Sequence, residues 1–214
     1  MKEQCLEIVK QKCNGCKGCT LAATRKNIVF GDGNASTAKV VFIGEAPGEM
    51  EDESGMPFVG RAGQLLNEFL ANAGISREED LYIINTVKCR PPENRVPTDE
   101  EKSACRKFLN AQIDIIKPRA IVLCGATALK SFVELDKKTT ISKVRGQWMT
   151  VSVDGVDYRA MTIFHPSYLL RNHSMEEGSP RRLMQHDLSV IKSEILGDRQ
   201  ECSSNPFNKE LALV

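Results

Sequence analysis

The feature that most constrains the fold is an apolar run that passes directly into a glycine-rich turn. Val-Val-Phe-Ile at positions 40–43 is followed by Gly-Glu-Ala-Pro-Gly at positions 44–48. Continuous apolar runs of this kind are typical of strands buried on both faces in parallel sheets that carry helices on each side. Because Gly and Pro break the strand at its carboxyl end, the turn is expected at the edge where open α/β sheets bind ligands.

Further apolar runs alternate with amphipathic segments along the chain. Strands are predicted at 81–87, 120–125, 148–153 and 156–164, and a hairpin turn at Asp154-Gly155 joins the last two. Helices are predicted at 3–11, 61–73, 98–117, 126–133 and from Pro180 to about residue 196. This alternation indicates an α/β protein, a three-layer α/β/α sandwich around a mainly parallel sheet of about four strands.

Composition and charge bound the class of protein. The chain has 214 residues, of which 41% are apolar, so one domain over residues 1–197 is expected, with residues 198–214 as a disordered tail. A charged N-terminus and the lack of a long apolar run predict a cytoplasmic protein that does not enter membranes. The net charge of +1 means that any contact with nucleic acid must be local.

Three polar segments each follow a predicted strand: the turn at 44–48, residues 85–89 and residues 165–171. The carboxyl ends of parallel strands meet at one edge of a sheet, so these segments are expected to share one rim. Asn85 ends an otherwise apolar strand, and a buried amide is either tied into a turn or reserved for a ligand. The acidic residues 49–53 are predicted to form a solvated loop.

The chain has eight cysteines, which in a cytosolic protein indicate metal ligation or reduced thiols rather than disulfides. Cys16 and Cys19 lie in a glycine-rich loop, and Cys89 and Cys105 can join them if the second loop and its following helix fold onto the first. Zinc sites usually take two close pairs, whereas fifteen residues separate Cys89 from Cys105. The spacing therefore favours a [4Fe–4S] cluster, with a structural zinc ion as the alternative and Cys13 as a rival first ligand.

Five motifs follow one another along the chain: Cys16-x-x-Cys19-x-Leu21, Gly44-Glu45-Ala46-Pro47-Gly48, Pro57-Phe58-Val59-Gly60-Arg61-Ala62-Gly63-Gln64-Leu65-Leu66, Asn85-x-x-Lys88-Cys89-Arg90-Pro91-Pro92 and His165-Pro166-Ser167-Tyr168-Leu169-Leu170-Arg171. Together they resemble the family 4 uracil-DNA glycosylases, the iron–sulfur type. The resemblance extends over nearly the whole chain. It implies that superfamily's sandwich fold, excision of uracil from DNA to leave an abasic site, and a [4Fe–4S] cluster on Cys16, Cys19, Cys89 and Cys105 rather than on Cys13.

The resemblance also implies roles for residues of the rim. His165 is the implied donor to uracil O2, where negative charge develops as the glycosidic bond breaks. Phe58 is the implied stacking platform, and Asn85 the implied reader of the base edge, because an amide offers both a donor and an acceptor. Glu45, next to Ala46, is assigned as the second catalytic residue, either to position water or to stabilise the sugar cation, and backbone amides around Glu45 and Ala46 are expected to add donors to the base.

Leu169, Leu170 and Arg171 form the implied loop that enters the minor groove and replaces the flipped nucleotide. We expect a monomer that binds uracil-containing DNA and uses no small-molecule cofactor beyond the cluster. Two rival classes remain open. One is a non-catalytic nucleic-acid-binding module with zinc or iron–sulfur, and the other is a nucleotide or sugar-phosphate enzyme that uses the turn at 44–48, although this turn lacks the Gly-Lys-Ser/Thr ending of a P-loop.

Overall fold

The centre of the fold is a six-stranded mixed sheet, in a computed structural model that describes residues 1–136 and 139–197. The strands are β1 (Asp32–Gly33), β2 (Val40–Gly44), β3 (Leu81–Asn85), β4 (Ala120–Cys124), β5 (Trp148–Val153) and β6 (Val156–Ile163). Their order in the sheet is β1-β3-β2-β4-β6-β5. The four inner strands are parallel, and each edge strand is antiparallel to its neighbour. The predicted mainly parallel sheet is confirmed, with more strands than expected.

The helices are α1 (Lys2–Asn14), α2 (Glu49–Ser54), α3 (Arg61–Asn72), α4 (Asp99–Ile116), α5 (Ala126–Lys130), α6 (Ile141–Val144), α7 (Pro166–Leu169) and α8 (Pro180–Ile191). The predicted capping box of α4 is present, because Thr98 and Glu101 each accept a hydrogen bond from the other's backbone N–H. Helix α5 ends at Lys130 rather than at residue 133, and the sequence analysis predicted none of the short helices α2, α6 and α7. The predicted tail at 198–214 lies outside the described residues.

Alternate residues of each inner strand enter two separate hydrophobic cores. Phe42 and Val122 face one side, where α3 and α8 cover the sheet. Val41 and Leu123 face the other side, where α1, α4 and α5 cover it. Because successive strand side chains point to opposite faces, both faces must be apolar, which explains the continuous runs in the sequence. The three-layer α/β/α sandwich is therefore confirmed. No helix in the described ranges is long and apolar enough to cross a membrane.

The acidic segment at 49–53 is not a solvated loop, so that prediction was wrong. All of it belongs to α2, and Asp52 is only 2% exposed. The Asp52 carboxylate accepts hydrogen bonds of 3.0–3.2 Å from the backbone N–H groups of Lys26 and Asn27. Residue type alone does not reveal which carboxylate of an acidic run will meet unpaired backbone donors. These bonds fasten the loop before β1 to α2, the helix that follows β2.

The carboxyl ends of β2, β3, β4 and β6 meet at one edge of the sheet. Gly44 at the end of β2 pairs with Asn85 at the end of β3, and Cys124 of β4 pairs with Ile163 of β6. The segments that leave these strands, at 45–48, 86–89, 125–127 and 164–171, are called the rim below. The three rim segments predicted from the sequence do share this edge, because their strands are parallel and in register.

A buried ion pair fastens α8 to the segment before β5, and it gives a test of the fold. Asp187 has no exposed surface, and Arg145 donates to it from both Nε and Nη2, the Nε bond being 2.7 Å long. Removing one partner of a buried pair leaves an uncompensated charge, at a cost of about 3 kcal/mol or more. We predict that Arg145→Met lowers the free energy of unfolding in urea by about that amount.

The double variant Arg145→Met/Asp187→Leu is the control for this prediction. It leaves neither charge in the protein interior, so we expect it to recover much of the lost stability. An Arg145→Met protein as stable as the wild type would show that the pair contributes nothing to the fold.

Candidate active site

The rim encloses a cleft of about 410 Å³. Six of the residues predicted to act in catalysis, base binding or DNA binding line it: Glu45, Ala46, Phe58, Asn85, His165 and Arg171. They come from segments far apart in the sequence, and the parallel sheet brings them together. The cleft also has Glu51, Arg95 and Ser167 in its walls, which the sequence analysis did not assign to the site.

His165 precedes α7, and the first turn of that helix fixes its imidazole ring. The ring atom Nδ1 accepts the backbone N–H of Ser167 over 3.2 Å and lies 2.8 Å from the Ser167 hydroxyl oxygen. Because Nδ1 is an acceptor, the proton of the neutral ring lies on Nε2. Burial lowers the pKa of His165, and this outweighs the opposite effect of the nearby Glu45 and Glu51 carboxylates. His165 is therefore a neutral N–H donor at pH 7.

Phe58 forms an aromatic wall of the cleft in a strained backbone conformation. Its φ of +54° lies in the left-handed region, which costs a residue other than glycine about 1 kcal/mol or more. The ring packs edge-on against Phe42 at 5.7 Å between centroids and lies 5.8 Å from the His165 ring. Gly63 allows the turn to close, because a Cβ there would overlap the Phe58 carbonyl group.

Two side chains outside the predicted set hold the Phe58 turn. Glu51 Oε1 accepts the backbone N–H groups of residues 59 and 60 over 2.9 and 2.8 Å, and its Oε2 accepts that of Gly48 over 3.1 Å. Arg77 donates to the carbonyl oxygens of residues 57 and 58 over 2.6 and 3.4 Å. The Gly48-x-x-Glu51 spacing, which matches a helix N-terminal capping pattern, could have identified Glu51 in the sequence.

Asn85 ends β3 at the floor of the cleft and is 2% exposed. Its side-chain oxygen Oδ1 is buried and has no hydrogen-bond partner in the part of the chain that the structure describes. A Cβ on Gly44 would overlap both this oxygen and the Phe58 ring. An unpaired buried acceptor costs about 1–3 kcal/mol. Of the two alternatives predicted for Asn85, this placement favours an amide reserved for a ligand.

The segment after β4 is a fourth part of the rim that the sequence analysis missed. Gly125 has a φ of +92° and packs so closely that a Cβ there would lie 3.0 Å from His165 Cβ. On α5, the Thr127 hydroxyl donates to Glu45 Oε2. On the other side, the Thr86 hydroxyl donates to the Glu45 carbonyl oxygen over 2.5 Å. Both the main chain and the side chain of Glu45 are therefore fixed.

Only part of the loop predicted to enter DNA is exposed. Leu169 has no exposed surface and packs in the core beside α3, and Leu170 is half-buried against the same core. Tyr168 is 47% exposed, and Arg171 is exposed beside the cleft. The predicted role of Leu169 in binding DNA does not agree with this placement, because a leucine of the short helix α7 turns toward the core.

The four cysteines predicted as metal ligands line one small cavity beside α4: Cys16, Cys19, Cys89 and Cys105, with Cys13 as a further wall. The backbone N–H of Gly18 donates to Cys16 Sγ over 3.4 Å, and the Arg25 guanidinium donates to Cys89 Sγ over 3.3 Å. Burial raises the pKa of Cys13 to about 12 and that of Cys89 to about 11. Among the described residues, no three His, Cys, Asp or Glu side chains already form a metal-ion site. The metal centre therefore stays a prediction.

Lys88 is a fully buried cation that borders the same cavity. Burial lowers its pKa to about 8, and electrostatic interaction with Cys105, Cys13 and Cys89 acts in the opposite direction. Its Nζ donates to the main-chain oxygen of Asn85 over 2.9 Å. An isolated buried ammonium is costly. The position of Lys88 is therefore suited to a cavity in which the cysteines carry negative charge, as they do when they bind a metal.

The sequence of this chain is similar to the sequences of known proteins. Residues 30–189 match the model of the Uracil DNA glycosylase superfamily. The chain is 50% identical over 195 residues to the type-4 uracil-DNA glycosylase of Thermotoga maritima, which covers 90% of this chain and 95% of that protein. This chain belongs to the type-4 uracil-DNA glycosylase family. It is also 42% identical over 174 residues to the type-4 enzyme of Archaeoglobus fulgidus, with 80% of this chain and 86% of that one covered.

The type-5 uracil-DNA glycosylase of Pyrobaculum aerophilum is more distant, at 32% identity over 154 residues and 65% of each chain. Membership of the type-4 family confirms the resemblance inferred from the five motifs. It also decides against the two rival classes, the non-catalytic nucleic-acid-binding module and the sugar-phosphate enzyme.

In this type-4 family member, His165 should titrate below the ordinary histidine value. Its folded-state pKa is lowered by burial, so protonation opposes folding, and the contribution of the neutral ring to stability is lost as the pH falls below about 6.5. We predict an NMR titration midpoint for the His165 ring below that of a histidine in a model peptide. The His165→Gln variant assigns the resonance, and a midpoint at or above the peptide value would exclude the neutral donor.

Proposed function

We propose that this chain is a DNA-repair glycosylase that flips uracil out of DNA and hydrolyses its N-glycosidic bond, leaving an abasic site. Family membership supports this function. The observation that carries it is the buried Oδ1 of Asn85, which has no hydrogen-bond partner among the described residues, in a cleft that also holds the Phe58 ring and the neutral His165. A flat wall, an acceptor and a donor are what a flipped base with a polar edge requires.

The charge that develops during the reaction explains the role of His165. As the N1–C1′ bond breaks, its electron pair stays with the base and spreads onto uracil O2, while the sugar becomes cationic at C1′. A donor already aimed at the developing oxyanion stabilises the transition state, and loss of one such donor typically costs about 100- to 1,000-fold in rate. Because Nδ1 of His165 is occupied by Ser167, its Nε2–H is the group free to donate to O2.

The carboxylates of Glu51 and Glu45 both line the cleft, and their different hydrogen bonds indicate different roles. Both oxygens of Glu51 accept backbone N–H groups, so Glu51 holds the Phe58 turn. Within residues 1–136 and 139–197, Glu45 is held by a side-chain hydrogen bond at Oε2, which leaves Oε1 for water or for the sugar cation. Ala46 next to it has no group that could take a proton from water. Glu45 is therefore the second catalytic residue: water adds to C1′ through its oxygen, the proton that it loses passes to Glu45 Oε1, and the uracil anion takes up that proton as it leaves.

The DNA-contacting surface is the exposed part of the loop at 167–171. Tyr168 and Arg171 project from it beside the cleft, and Leu170 is half-exposed. An apolar or aromatic group here can occupy the space that a flipped nucleotide leaves, and Arg171 can pair with a backbone phosphate. Leu169 supports this loop from the core.

We propose that Cys16, Cys19, Cys89 and Cys105 hold a [4Fe–4S] cluster, with zinc as the alternative. Four thiols around one cavity, donors directed at two of the sulfurs and the buried cation of Lys88 support this fit. When bound, the cluster supplies covalent links between the N-terminal loop, the loop after β3 and α4, rather than chemistry at the base. Cys13 packs against the same cavity and lies outside the proposed ligand set.

Metal analysis tests the cluster independently of activity. We predict that protein prepared without oxygen is brown and contains iron and acid-labile sulfide in equal amounts, about four of each per chain. Cys89→Ala should lose both, and should also lose solubility because the links between the loops are gone. Cys5→Ala, at an exposed cysteine away from the cavity, is the matched control and should keep the iron. Stoichiometric zinc without sulfide would contradict the cluster.

The Asn85 carboxamide gives the sharpest test of the function. Its N–H pairs with uracil O4 and its Oδ1 with uracil N3–H, whereas cytosine presents the opposite polarity at both positions. Two unpaired buried groups reject cytosine strongly, since each costs about 1–3 kcal/mol. We predict that Asn85→Asp loses most uracil excision and gains weak excision of cytosine, because an ionised carboxylate accepts from the cytosine amino group.

The assay uses single-stranded oligonucleotides that contain one uracil or one cytosine, cleaved with alkali after incubation with the protein. The wild type should cut only at uracil. Wild-type uracil excision by Asn85→Asp would show that Asn85 is structural. Failure of the wild type itself to release uracil would overturn the proposed function.

A further inference from the structure

Glu45 lies between the base cleft and a second, open cleft of about 730 Å³. Residues of the α4 N-terminus and of α5 line this second cleft, including Thr98, Lys102, Thr127 and Lys130. A long acidic side chain between two solvent-accessible spaces has several rotamers available. Unless something holds it, its carboxylate spends only part of the time directed at the sugar. A specific contact is therefore needed to hold the Glu45 side chain in one rotamer.

We propose that Thr127 is a positioning residue that holds the Glu45 carboxylate in its catalytic rotamer. This inference rests on the proposed function and deepens it. The Thr127 hydroxyl donates to Glu45 Oε2, and in the described part of the chain it is the protein donor to that carboxylate. Hydrogen bonds to an ionised acceptor are the strong ones, so one donor can select one rotamer.

The surroundings of Thr127 make it a rigid donor. It is 8% exposed, so its hydroxyl has little access to water and takes the carboxylate as its partner. Its own carbonyl oxygen accepts the backbone N–H of Ser131 over 3.2 Å and the Ser131 hydroxyl over 2.8 Å, which fixes the end of α5. A β-branched side chain on a helix also has a restricted χ1 angle.

The same loop sets the position of the other catalytic group. Gly125, two residues before Thr127, packs against Cβ of His165. The segment that follows β4 therefore contacts His165 through Gly125 and Glu45 through Thr127. The two catalytic groups come from strands on either side of β4, and this loop fixes the distance between them.

The test compares nearly isosteric variants in single-turnover excision of uracil from single-stranded DNA. Thr127→Val keeps the shape and removes the donor, so we expect the rate to fall roughly 10- to 100-fold. Thr127→Ser restores the hydroxyl and should return the rate to within about threefold of the wild type. Lys130→Ala changes an exposed side chain of α5 and leaves the Thr127 hydroxyl and its bonds in place, so it is the control that should keep the wild-type rate.

A double-mutant cycle with Glu45→Gln separates positioning from a structural role. If Thr127 acts through the charged carboxylate, Thr127→Val slows the wild type but changes the rate of Glu45→Gln by less than about twofold. An equal loss in both backgrounds would show that Thr127 is merely structural and would overturn the inference. Thr127→Ala must show the same pattern, and it serves in place of the valine variant if that protein does not fold.

The remaining outcomes distinguish this inference from the proposed function. A slow Glu45→Gln with a wild-type rate for Thr127→Val would overturn the role of Thr127 alone. A wild-type rate for Glu45→Gln would overturn the roles of both residues and leave uracil excision standing. Only a wild-type protein that releases no uracil would remove the function itself.

Discussion

The absence of a side chain at Gly44 is the constraint on which the site depends. Gly44 ends β2 directly beside Asn85, and any Cβ there would overlap both the Asn85 amide oxygen and the Phe58 ring. Neighbouring parallel strands lie only about 4.8 Å apart. The Asn85 amide and the Phe58 ring can therefore both line the bottom of the cleft only if residue 44, which contacts both, is glycine. The strained Phe58 turn, with Glu51 and Arg77 bound to its backbone, then closes the cleft over that floor.

A second set of contacts links this cleft to the cysteine cavity. The buried carboxylate of Glu101 accepts from Arg95 in the cleft wall and from Thr20, which follows Cys19, while it also caps α4, the helix that carries Cys105. The Arg95 guanidinium holds the pKa of Glu101 down at about 2, so these bonds persist at any pH near neutral. Separately, Lys88 at the border of the cysteine cavity donates to the Asn85 carbonyl, which ties that cavity to the strand that ends at Asn85.

Sequence patterns predicted the layers of the fold and most of the cleft, because both depend on local rules. Apolar runs and capping residues define strands and helices, and parallel strands deliver their following segments to one edge. Contacts between distant segments were not predictable in this way. The bond from Thr127 to Glu45 joins residues 82 positions apart. The sequence also does not indicate which side chain points into the protein in the acidic run around Glu51 or in the apolar pair at 169–170.

The protonation state of His165 follows from a competition that only the folded protein reveals. The negative charges of Glu45 and Glu51 favour an imidazolium ion, whereas burial favours the neutral ring, and burial is the larger effect. In the proposed mechanism, a charged His165 would attract Glu45 and cancel part of the field that a cationic sugar needs from that carboxylate. A neutral ring would donate to the departing base without this cost. The proposed roles thus put negative charge on the sugar side of the scissile bond and an uncharged donor on the base side, which is the distribution that the transition state requires.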